Sequence, residues 1–357
     1  MNIFVLLNKQ VDYIIVGQGI AGTILAYQLL SRNFKVILID QGFEKASSYV
    51  AGALINPIVL KRITKTWRAD DFVKYNRPFY KQLSLYLGNT FYHDMPFEKL
   101  IYSDDEKYFW KLRYNQEDLK KYIAPELSPI KNSTPFSKEF FSGIVKETAW
   151  LDIKLLLESF RTHLKNLSCL IDSEFEYDKI IFQEDSIIYK SIKAKKIIFC
   201  EGSQLTNNPF FNDIPMSLNK GELITIKSNE IQTKSILKKS IFILPIDKDT
   251  YKVGATFEWK WENENPSESK KLWLIKQLTE LTKAKFTVIN HEAGIRPSTK
   301  DRRPAIGLHK NYKTLALFNG LGSRGCFTAP LLAEEFIRFL ENKEALDKEV
   351  DINRFYD

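Results

Sequence analysis

The sequence is poor in the residues that build metal centres, disulfide frameworks and catalytic triads. Among 357 residues there are three cysteines, with no CxxC pair, and four histidines, which are scattered along the chain. This pattern indicates neither a zinc site nor a disulfide framework, and no metal site is expected. We interpret the histidines as structural. The residues in question are Cys169, Cys200, Cys326, His93, His163, His291 and His309.

Long apolar runs are also missing. No run approaches the roughly 18 residues that a membrane span requires. The opening stretch 1–7 is apolar, but it is too short for the apolar part of a signal peptide and lacks a cleavage site. We therefore expect no membrane span and a cytoplasmic location, which the low cysteine content also favours.

The basic excess is spread out. Fifty-two lysines and arginines against 44 acidic residues give a net charge of +8, but the lysines occur as scattered pairs, such as Lys120-Lys121 and Lys238-Lys239. This distribution favours a solvated surface over a nucleic-acid groove, although the sign of the charge leaves a polyanionic partner open.

What is present is a dinucleotide-binding pattern near the start of the chain. An apolar run ending at Val16 is followed by Gly17, Gly19 and Gly22, then by a helix-like segment and a second apolar run ending at Asp40. In such a turn the glycines permit a tight bend and close approach of a pyrophosphate to a helix N-terminus. The acidic residue about 20 positions later suits a ribose hydroxyl. The pattern predicts dinucleotide binding and leaves NAD and FAD open.

The chain is long enough for two domains, with 44% hydrophobic residues. A second glycine-rich turn, 319–330, lies far from the first, so the two ends of the chain are expected to form one nucleotide-binding domain. The middle has hairpin spacing and predicts an antiparallel sheet. The fold class is thus α/β, a Rossmann-like nucleotide-binding domain with an interleaved α+β substrate domain. The predicted ranges are 10–78, 142–214 and 290–345 for the first domain, 79–141 and 215–289 for the second, and 346–357 for a tail.

Taken in order, these pieces resemble the FAD-dependent oxidoreductases typified by D-amino-acid oxidase and glycine oxidase. The resemblance rests on VGQGIAG with Asp40, the small-residue segment 47–53, IIFCEGS, NKGELITI, AGIRPSTKDRRPAIG and GLGSRGCFTAP, and it covers nearly the whole chain. It implies a glutathione-reductase-like FAD domain and FAD held without a covalent bond. The residues expected at the cofactor are Gly17, Gly19, Ile20, Ala21, Gly22, Asp40, Gln41, Ser47, Ser48, Ala51, Gly52, Ala53, Gly202, Gly320, Gly322, Ser323, Arg324 and Gly325.

The resemblance also implies a substrate arginine. Arg296 occupies the position that binds the substrate carboxylate in glycine oxidase, and a guanidinium can hold a carboxylate through two parallel hydrogen bonds. The alternative for Arg296 is a structural ion pair with Asp301. Arg324 is the second candidate near the ligand, and Lys220 either faces the flavin or merely begins a strand.

The implied activity is oxidation of the carbon-nitrogen bond of a carboxylate-bearing amine, an amino acid or N-substituted glycine, by hydride transfer to flavin. Three alternatives stay open. The chain also looks similar to the oxidase half of the tRNA wobble-uridine modification enzyme, which acts on carboxymethylaminomethyl-uridine, so tRNA is a possible partner. A dehydrogenase with an acceptor other than oxygen is the second alternative, and a non-catalytic flavin-binding protein is the third. The oligomeric state is not predicted.

Overall fold

A computed structural model describes residues 9–44, 46–130 and 134–356. The segment 1–7, on which the expectation about a signal peptide rests, lies outside the described residues. In the part of the chain that is described, no helix has the length and apolar character needed to cross a membrane.

The strands are short and numerous. In chain order they are β1 (Lys9–Val16), β2 (Val36–Ile39), β3 (Leu54–Ile55), β4 (Ile58–Val59), β5 (Thr64–Lys65), β6 (Tyr92–Asp94), β7 (Phe97–Ile101), β8 (Ser128–Pro129), β9 (Phe141–Val145), β10 (Ala149–Leu151), β11 (Leu170–Ile171), β12 (Ile180–Phe182), β13 (Ile187–Tyr189), β14 (Ile192–Phe199), β15 (Asn219–Lys227), β16 (Ile236–Lys238), β17 (Phe242–Pro245), β18 (Thr250–Gly254), β19 (Thr287–Arg296), β20 (Ala305–Leu308) and β21 (Leu315–Asn319).

Eight α-helices are found in the described residues: α1 (Ile20–Leu30), α2 (Ser47–Val50), α3 (Ala69–Leu87), α4 (Asp104–Tyr114), α5 (Glu117–Lys120), α6 (Ile153–Asn166), α7 (Glu268–Leu281) and α8 (Gly325–Asn342). In the same part of the chain, short 3-10 turns lie at Tyr177–Lys179, Gly202–Asn207, Gly322–Arg324 and Ile352–Phe355.

The first sheet has a parallel centre. β1 pairs in parallel with β2 and β14, and β14 pairs in parallel with β21, while β11 extends the β2 edge. β20 and the β12–β13 hairpin add antiparallel strands. The centre of β1 is apolar and buried on both faces, as parallel strands covered by helices are. The carboxyl ends of β1, β14 and β21 therefore meet at one edge, which is where such sheets bind ligands.

The second sheet is largely antiparallel and has the strand order β19-β15-β18-β17-β16-β7-β9-β8, in which only the β16–β7 pair is parallel. The antiparallel middle block expected from the sequence is thus observed, and the fold is α/β with mixed sheets. Three predicted domain boundaries fall inside single elements: the one after residue 78 in α3, the one after residue 141 in β9 and the one before residue 290 in β19. The division by residue range stays a prediction.

One predicted helix start is wrong. The sequence predicts the last helix over 331–340, after the glycine cluster 319–330, yet α8 begins at Gly325 and contains Pro330. A proline lacks the N–H that would bond to the carbonyl four residues earlier, at Cys326. The Tyr80 hydroxyl donates to that carbonyl instead, at 2.6 Å. The neighbouring helix α3 therefore compensates for the proline and lets α8 continue.

The two faces of the second sheet differ. The register pairs Asn219 with Arg296 and Gly221 with Gly294, so these residues share one face, while Lys220 and Glu222 alternate to the other. The first face meets the segment 47–60, because a Cβ on Gly294 would lie 3.1 Å from the Ser47 Cα. The sheet face that carries Arg296 is thereby placed against the small-residue segment.

Candidate active site

The turn after β1 requires glycine at two positions. Gly17 has φ of +98°, and a Cβ there would lie 2.7 Å from the Cys200 carbonyl oxygen at the end of β14. A Cβ on Gly22 would overlap the Gly17 carbonyl oxygen. The backbone is therefore folded tightly where two parallel strands end, and α1 begins directly at that edge.

The N-terminus of α1 carries free donor capacity. Gly19 precedes the helix and offers no side-chain cap, and the first turn, Ile20 to Thr23, contains no acidic residue. The Ile20 N–H donates to the Ser48 hydroxyl at 3.0 Å, which joins the segment 47–53 to this helix end. N–H groups and a positive dipole end at a buried helix terminus favour an anion.

Asp40 lies at the end of β2, beside the glycine turn, but protein groups already hold its carboxylate. It accepts hydrogen bonds from the N–H groups of Gln18 and Gly42, each at 2.8 Å, and from the Arg161 guanidinium at 2.9 Å. Arg161 also donates to the Gln18 side chain at 2.7 Å. A carboxylate has about four acceptor positions, so roughly one stays available to a ribose hydroxyl. The role of Asp40 stays a prediction, and the sequence reasoning missed Arg161.

The segment 47–53 is shaped by contact with the second sheet. Ser47 and Ser48 lie in α2, and Ala53 adopts φ of +50°. A Cβ on Gly52 would lie 2.7 Å from the ring of Phe242 in β17. The small residues predicted here therefore allow close packing, while the neighbouring predicted residue Gln41 is exposed.

The C-terminal glycine cluster reaches the same edge of the first sheet. Gly202, Gly320 and Gly322 all have positive φ, and the Asn319 side chain donates to the Gly202 carbonyl at 3.0 Å. A Cβ on Gly325, the first residue of α8, would lie 2.8 Å from the Ile20 side chain, whereas Ser323 is exposed. The N-termini of α1 and α8 are thus adjacent. Residues 17–22, 48, 202 and 320–325 thus lie at one edge of the first sheet, and their role at a cofactor stays a prediction.

Arg296 is a partly buried cation that has no carboxylate within ion-pair distance among the described residues. Its guanidinium donates to the Asn219 side chain at 2.8 Å and to the Thr256 carbonyl at 3.2 Å. A Cβ on Gly221 would overlap the guanidinium, so only glycine leaves room for it. Burial lowers the pKa of Arg296 to about 10, because the charged form loses hydration. It stays cationic at neutral pH.

The alternative ion pair of Arg296 with Asp301 is not formed. Asp301 pairs instead with Arg354 at 2.8 Å, and this contact depresses the pKa of Asp301 against the opposing effect of burial. Arg303 pairs with Glu349 at 2.9 Å on the surface. Arg296 is therefore separated from the ion pairs of its own segment.

Arg324 is a second partly buried guanidinium. It lies just before α8 and donates to the Asn56 carbonyl at 3.0 Å, and the described residues place no carboxylate within ion-pair distance. Burial lowers its pKa to about 10. A positive charge at the start of α8 adds to the helix dipole there, so the local field favours negative charge.

A further cation on the face of Arg296 was missed by the sequence reasoning. Lys252 is 7% exposed, pairs in register with Thr225 and donates to the Ala51 carbonyl at 3.5 Å. Burial lowers its pKa, and the nearby Lys154 lowers it further. The alternation of side chains along a strand could have identified Lys252. Residues two positions apart in a strand share a face, so Lys252 lies on the same face of β18 as Gly254.

Lys220 does not share the face of Arg296. Its ammonium group lies 3.0 Å from the Glu222 carboxylate, which is fully buried and 2.8 Å from His291. The Ser267 hydroxyl donates to Glu222 at 3.0 Å. Lys220 therefore lies within β15, on the face opposite Arg296.

The cysteines lie in packed surroundings. Burial raises the pKa of the Cys326 thiol to about 12 and places that of Cys200 well above its usual range. Thiols that stay protonated are poor nucleophiles. In the described part of the chain, no group of three or more histidine, cysteine or acidic residues could hold a metal ion.

Comparison with known proteins gives one family. The model of the FAD dependent oxidoreductase family, DAO, matches residues 12–338. A similar protein is the glycine oxidase of Pseudomonas putida, 22% identical over 358 residues, which cover 95% of this chain and 96% of that protein. Another is the tRNA 5-methylaminomethyl-2-thiouridine biosynthesis bifunctional protein MnmC of Legionella pneumophila, 24% identical over 375 residues, 93% of this chain. The chain spans 54% of the length of that protein.

Among solved structures, the glycine oxidase of Geobacillus kaustophilus superposes with a TM-score of 0.78 at 15% sequence identity. The match covers 97% of this chain and 98% of that one. At this identity the likeness shows the fold, and it extends over both sheets.

Proposed function

The chain belongs to the DAO family of FAD-dependent oxidoreductases and is an enzyme, and on this premise we propose that it oxidises the carbon-nitrogen bond of an amine that carries a carboxylate. An amino acid or an N-substituted glycine is the substrate class. Oxygen is the proposed acceptor, because the similar proteins include glycine oxidases.

The residues at the sheet edge fit FAD. Two adjacent helix N-termini, those of α1 and α8, lack acidic residues in their first turns and offer N–H groups to anionic groups. We assign the pyrophosphate to Gly17, Gly19 and the first turn of α1, and the adenosine ribose to Asp40. The flavin end is assigned to the segments 47–53 and 320–325. Burial of both thiols near this edge supports non-covalent binding.

The observation that carries the substrate proposal is the partly buried guanidinium of Arg296, which has no carboxylate partner among the described residues. A buried charge is costly unless an opposite charge or hydrogen bonds compensate it. Arg296 uses one N–H of each terminal nitrogen on Asn219 and Thr256, which leaves three of its five donors for a ligand. A carboxylate satisfies both the charge and the paired donor geometry.

The side chains of the enzyme orient the substrate and provide a positive electrostatic field at the site. Bound FAD supplies the acceptor for a hydride. Arg296 fixes the carboxylate of the substrate, so the adjacent carbon is held in one orientation. Arg324 and the N-terminus of α8 favour negative charge at the flavin end of the site. These tasks need no histidine, and we assign none.

Substitution of Arg296 tests this proposal. Arg296→Ala is expected to raise the KM for N-methylglycine or an amino acid about a hundredfold, since charge-assisted hydrogen bonds are worth about 1.5–3 kcal/mol. FAD content should not change. Arg303→Ala, which removes a partly exposed arginine of the same segment that pairs with Glu349, is the matched control and should leave KM unchanged. A KM unaltered by Arg296→Ala would remove Arg296 from the site.

A second function is favoured by one comparison. The relatives named MnmC are bifunctional tRNA-modification proteins, of which this chain spans about half, and the chain carries a net charge of +8. Oxidation of a carboxymethylaminomethyl group on uridine would use Arg296 in the same way. Binding of tRNA that weakens steeply with salt, together with flavin reduction by tRNA carrying this group, would support this function. Reduction by free amino acids alone would favour the first.

A further inference from the structure

We propose that Phe257 and Trp259 form an aromatic platform that stacks on a planar ring carried by the amine substrate. The enzyme would then select amines whose nitrogen bears an aromatic or heterocyclic substituent over those that bear a methyl group. The inference rests on the proposed function, because the platform adjoins Arg296, the proposed carboxylate ligand.

The platform consists of two exposed aromatic side chains in contact. Phe257 is 56% exposed and Trp259 is 52% exposed, and their ring centroids lie 4.9 Å apart in an edge-to-face arrangement. The Arg296 guanidinium carbon lies 5.4 Å from the Phe257 ring centroid. Single exposed aromatics are ordinary, but a contacting pair beside a partly buried arginine without a carboxylate partner among the described residues provides apolar area where a ligand is expected.

Backbone hydrogen bonds hold the platform to the second sheet. The Lys220 N–H donates to the Glu258 carbonyl and the Glu258 N–H donates to the Lys220 carbonyl, both at 2.9 Å. The Glu258 carboxylate pairs with Lys270 at 3.0 Å. These contacts fix Glu258, the residue between Phe257 and Trp259. In an extended segment, residues two positions apart lie on the same side, so the two aromatic rings can contact each other.

The far end of the same loop is tied down as well. The Lys220 ammonium donates to the Asn265 carbonyl at 2.5 Å, and the buried Glu222 accepts hydrogen bonds from the Ser267 N–H at 2.9 Å and its hydroxyl at 3.0 Å. The charged network on this face of β15 therefore anchors the loop that carries the platform. A surface ordered before binding loses less entropy when a ligand stacks on it.

The distance between the Phe257 ring and the Arg296 guanidinium determines which substituent on the amine nitrogen can reach the platform. A carboxylate held by the guanidinium places the substituent on the amine nitrogen a few bonds away, and Phe257 lies at about that reach. A methyl substituent is too short to cover either ring. A benzyl or heterocyclic substituent would stack on the platform, which is worth a severalfold gain in affinity for an aromatic pair.

Two matched pairs of compounds test the platform on the holoenzyme. N-benzylglycine and N-methylglycine are compared as substrates by kcat/KM. 4-Phenylbutanoate and butanoate, in which a methylene replaces the amine nitrogen, are compared as non-oxidisable ligands by calorimetric Kd. The variants are Phe257→Ala, Trp259→Ala and Trp259→Phe. Tyr108→Ala, which removes a 71% exposed aromatic residue elsewhere on the surface, is the control.

The ring-bearing member of each pair should be favoured by the wild type. Phe257→Ala and Trp259→Ala should each reduce that preference about fivefold, Trp259→Phe should retain most of it, and Tyr108→Ala should leave it unchanged. If 4-phenylbutanoate binds no better than butanoate, or its advantage survives both alanine variants, the platform is refuted while the carboxylate site stands. If neither carboxylate binds and neither amine is oxidised, the proposed function is refuted, and so is the platform, which rests on that function.

Discussion

Glu201 is expected to make the protein less stable as the pH rises from about 4.5 to about 7. The residue follows β14 at the ligand edge of the first sheet, and its carboxylate accepts hydrogen bonds from the Tyr177 hydroxyl at 2.5 Å and the Asn208 side chain at 2.7 Å. Burial raises the pKa of Glu201 to about 7 from an ordinary 4.5, and the two hydrogen bonds oppose only part of this shift. The cost of dehydrating the charge therefore exceeds its local compensation.

The sign follows from proton binding. Between the two pKa values the unfolded chain has released the proton that the folded chain retains, so the free energy of unfolding falls as the pH rises. The shift from 4.5 to 7 corresponds to a loss of about 3 kcal/mol. Because Glu201 keeps some exposed surface, we expect about 2 kcal/mol. For 357 residues, with an unfolding entropy of about 2.1 cal/mol/K per residue, this is about 3 °C in Tm.

Glu201→Gln isolates this effect, because glutamine does not ionise and can still accept from Asn208 while donating to the Tyr177 oxygen. Thermal unfolding followed between about pH 5 and pH 8 should show nearly equal Tm values at the acid end. At the alkaline end the variant should be about 3 °C more stable. The exposed Glu184→Gln serves as control and should match the wild type throughout. A Glu201→Gln difference that is independent of pH would refute the reasoning.

Two glycine substitutions test the site geometry. Gly22→Ala should destabilise the protein by about 1–3 kcal/mol and reduce FAD content, because its Cβ overlaps the Gly17 carbonyl oxygen; normal FAD content at an unchanged Tm would contradict this. Gly221→Ala should displace the Arg296 guanidinium and so raise KM for the carboxylate substrate while FAD stays bound, and a wild-type KM would show that the guanidinium does not occupy that space in solution.

The backbone part of the site could be predicted from the sequence. Glycine positions report backbone constraints directly, and Gly17, Gly22 and Gly320 each lie where a Cβ would meet backbone atoms. The antiparallel character of the middle block was visible from its hairpin spacing. The start of α8 at Gly325 could not be predicted from the sequence. The hydroxyl that satisfies the carbonyl left without a partner by Pro330 belongs to Tyr80, about 250 positions earlier, and no local pattern reports such a contact.

The side-chain partners could not be predicted in the same way. Arg161 lies 121 positions from Asp40, so its contact with that carboxylate depends on how α6 packs. The position of Phe257 beside Arg296 depends on strand register in the second sheet. Arg296 was identified only by resemblance to a known family. That it has no carboxylate partner among the described residues depends on tertiary contacts, since Asp301 pairs with Arg354 instead.

The most direct test of the central claim is an anaerobic titration of the purified protein with N-methylglycine and a panel of amino acids, followed by flavin absorbance. The protein should be yellow, should release FAD on acid treatment and should be bleached by at least one carboxylate-bearing amine, whereas the matching amine without the carboxylate should be ineffective. A folded, colourless protein that cannot be reconstituted with FAD, or a flavin that no carboxylate-bearing amine bleaches, would contradict the account.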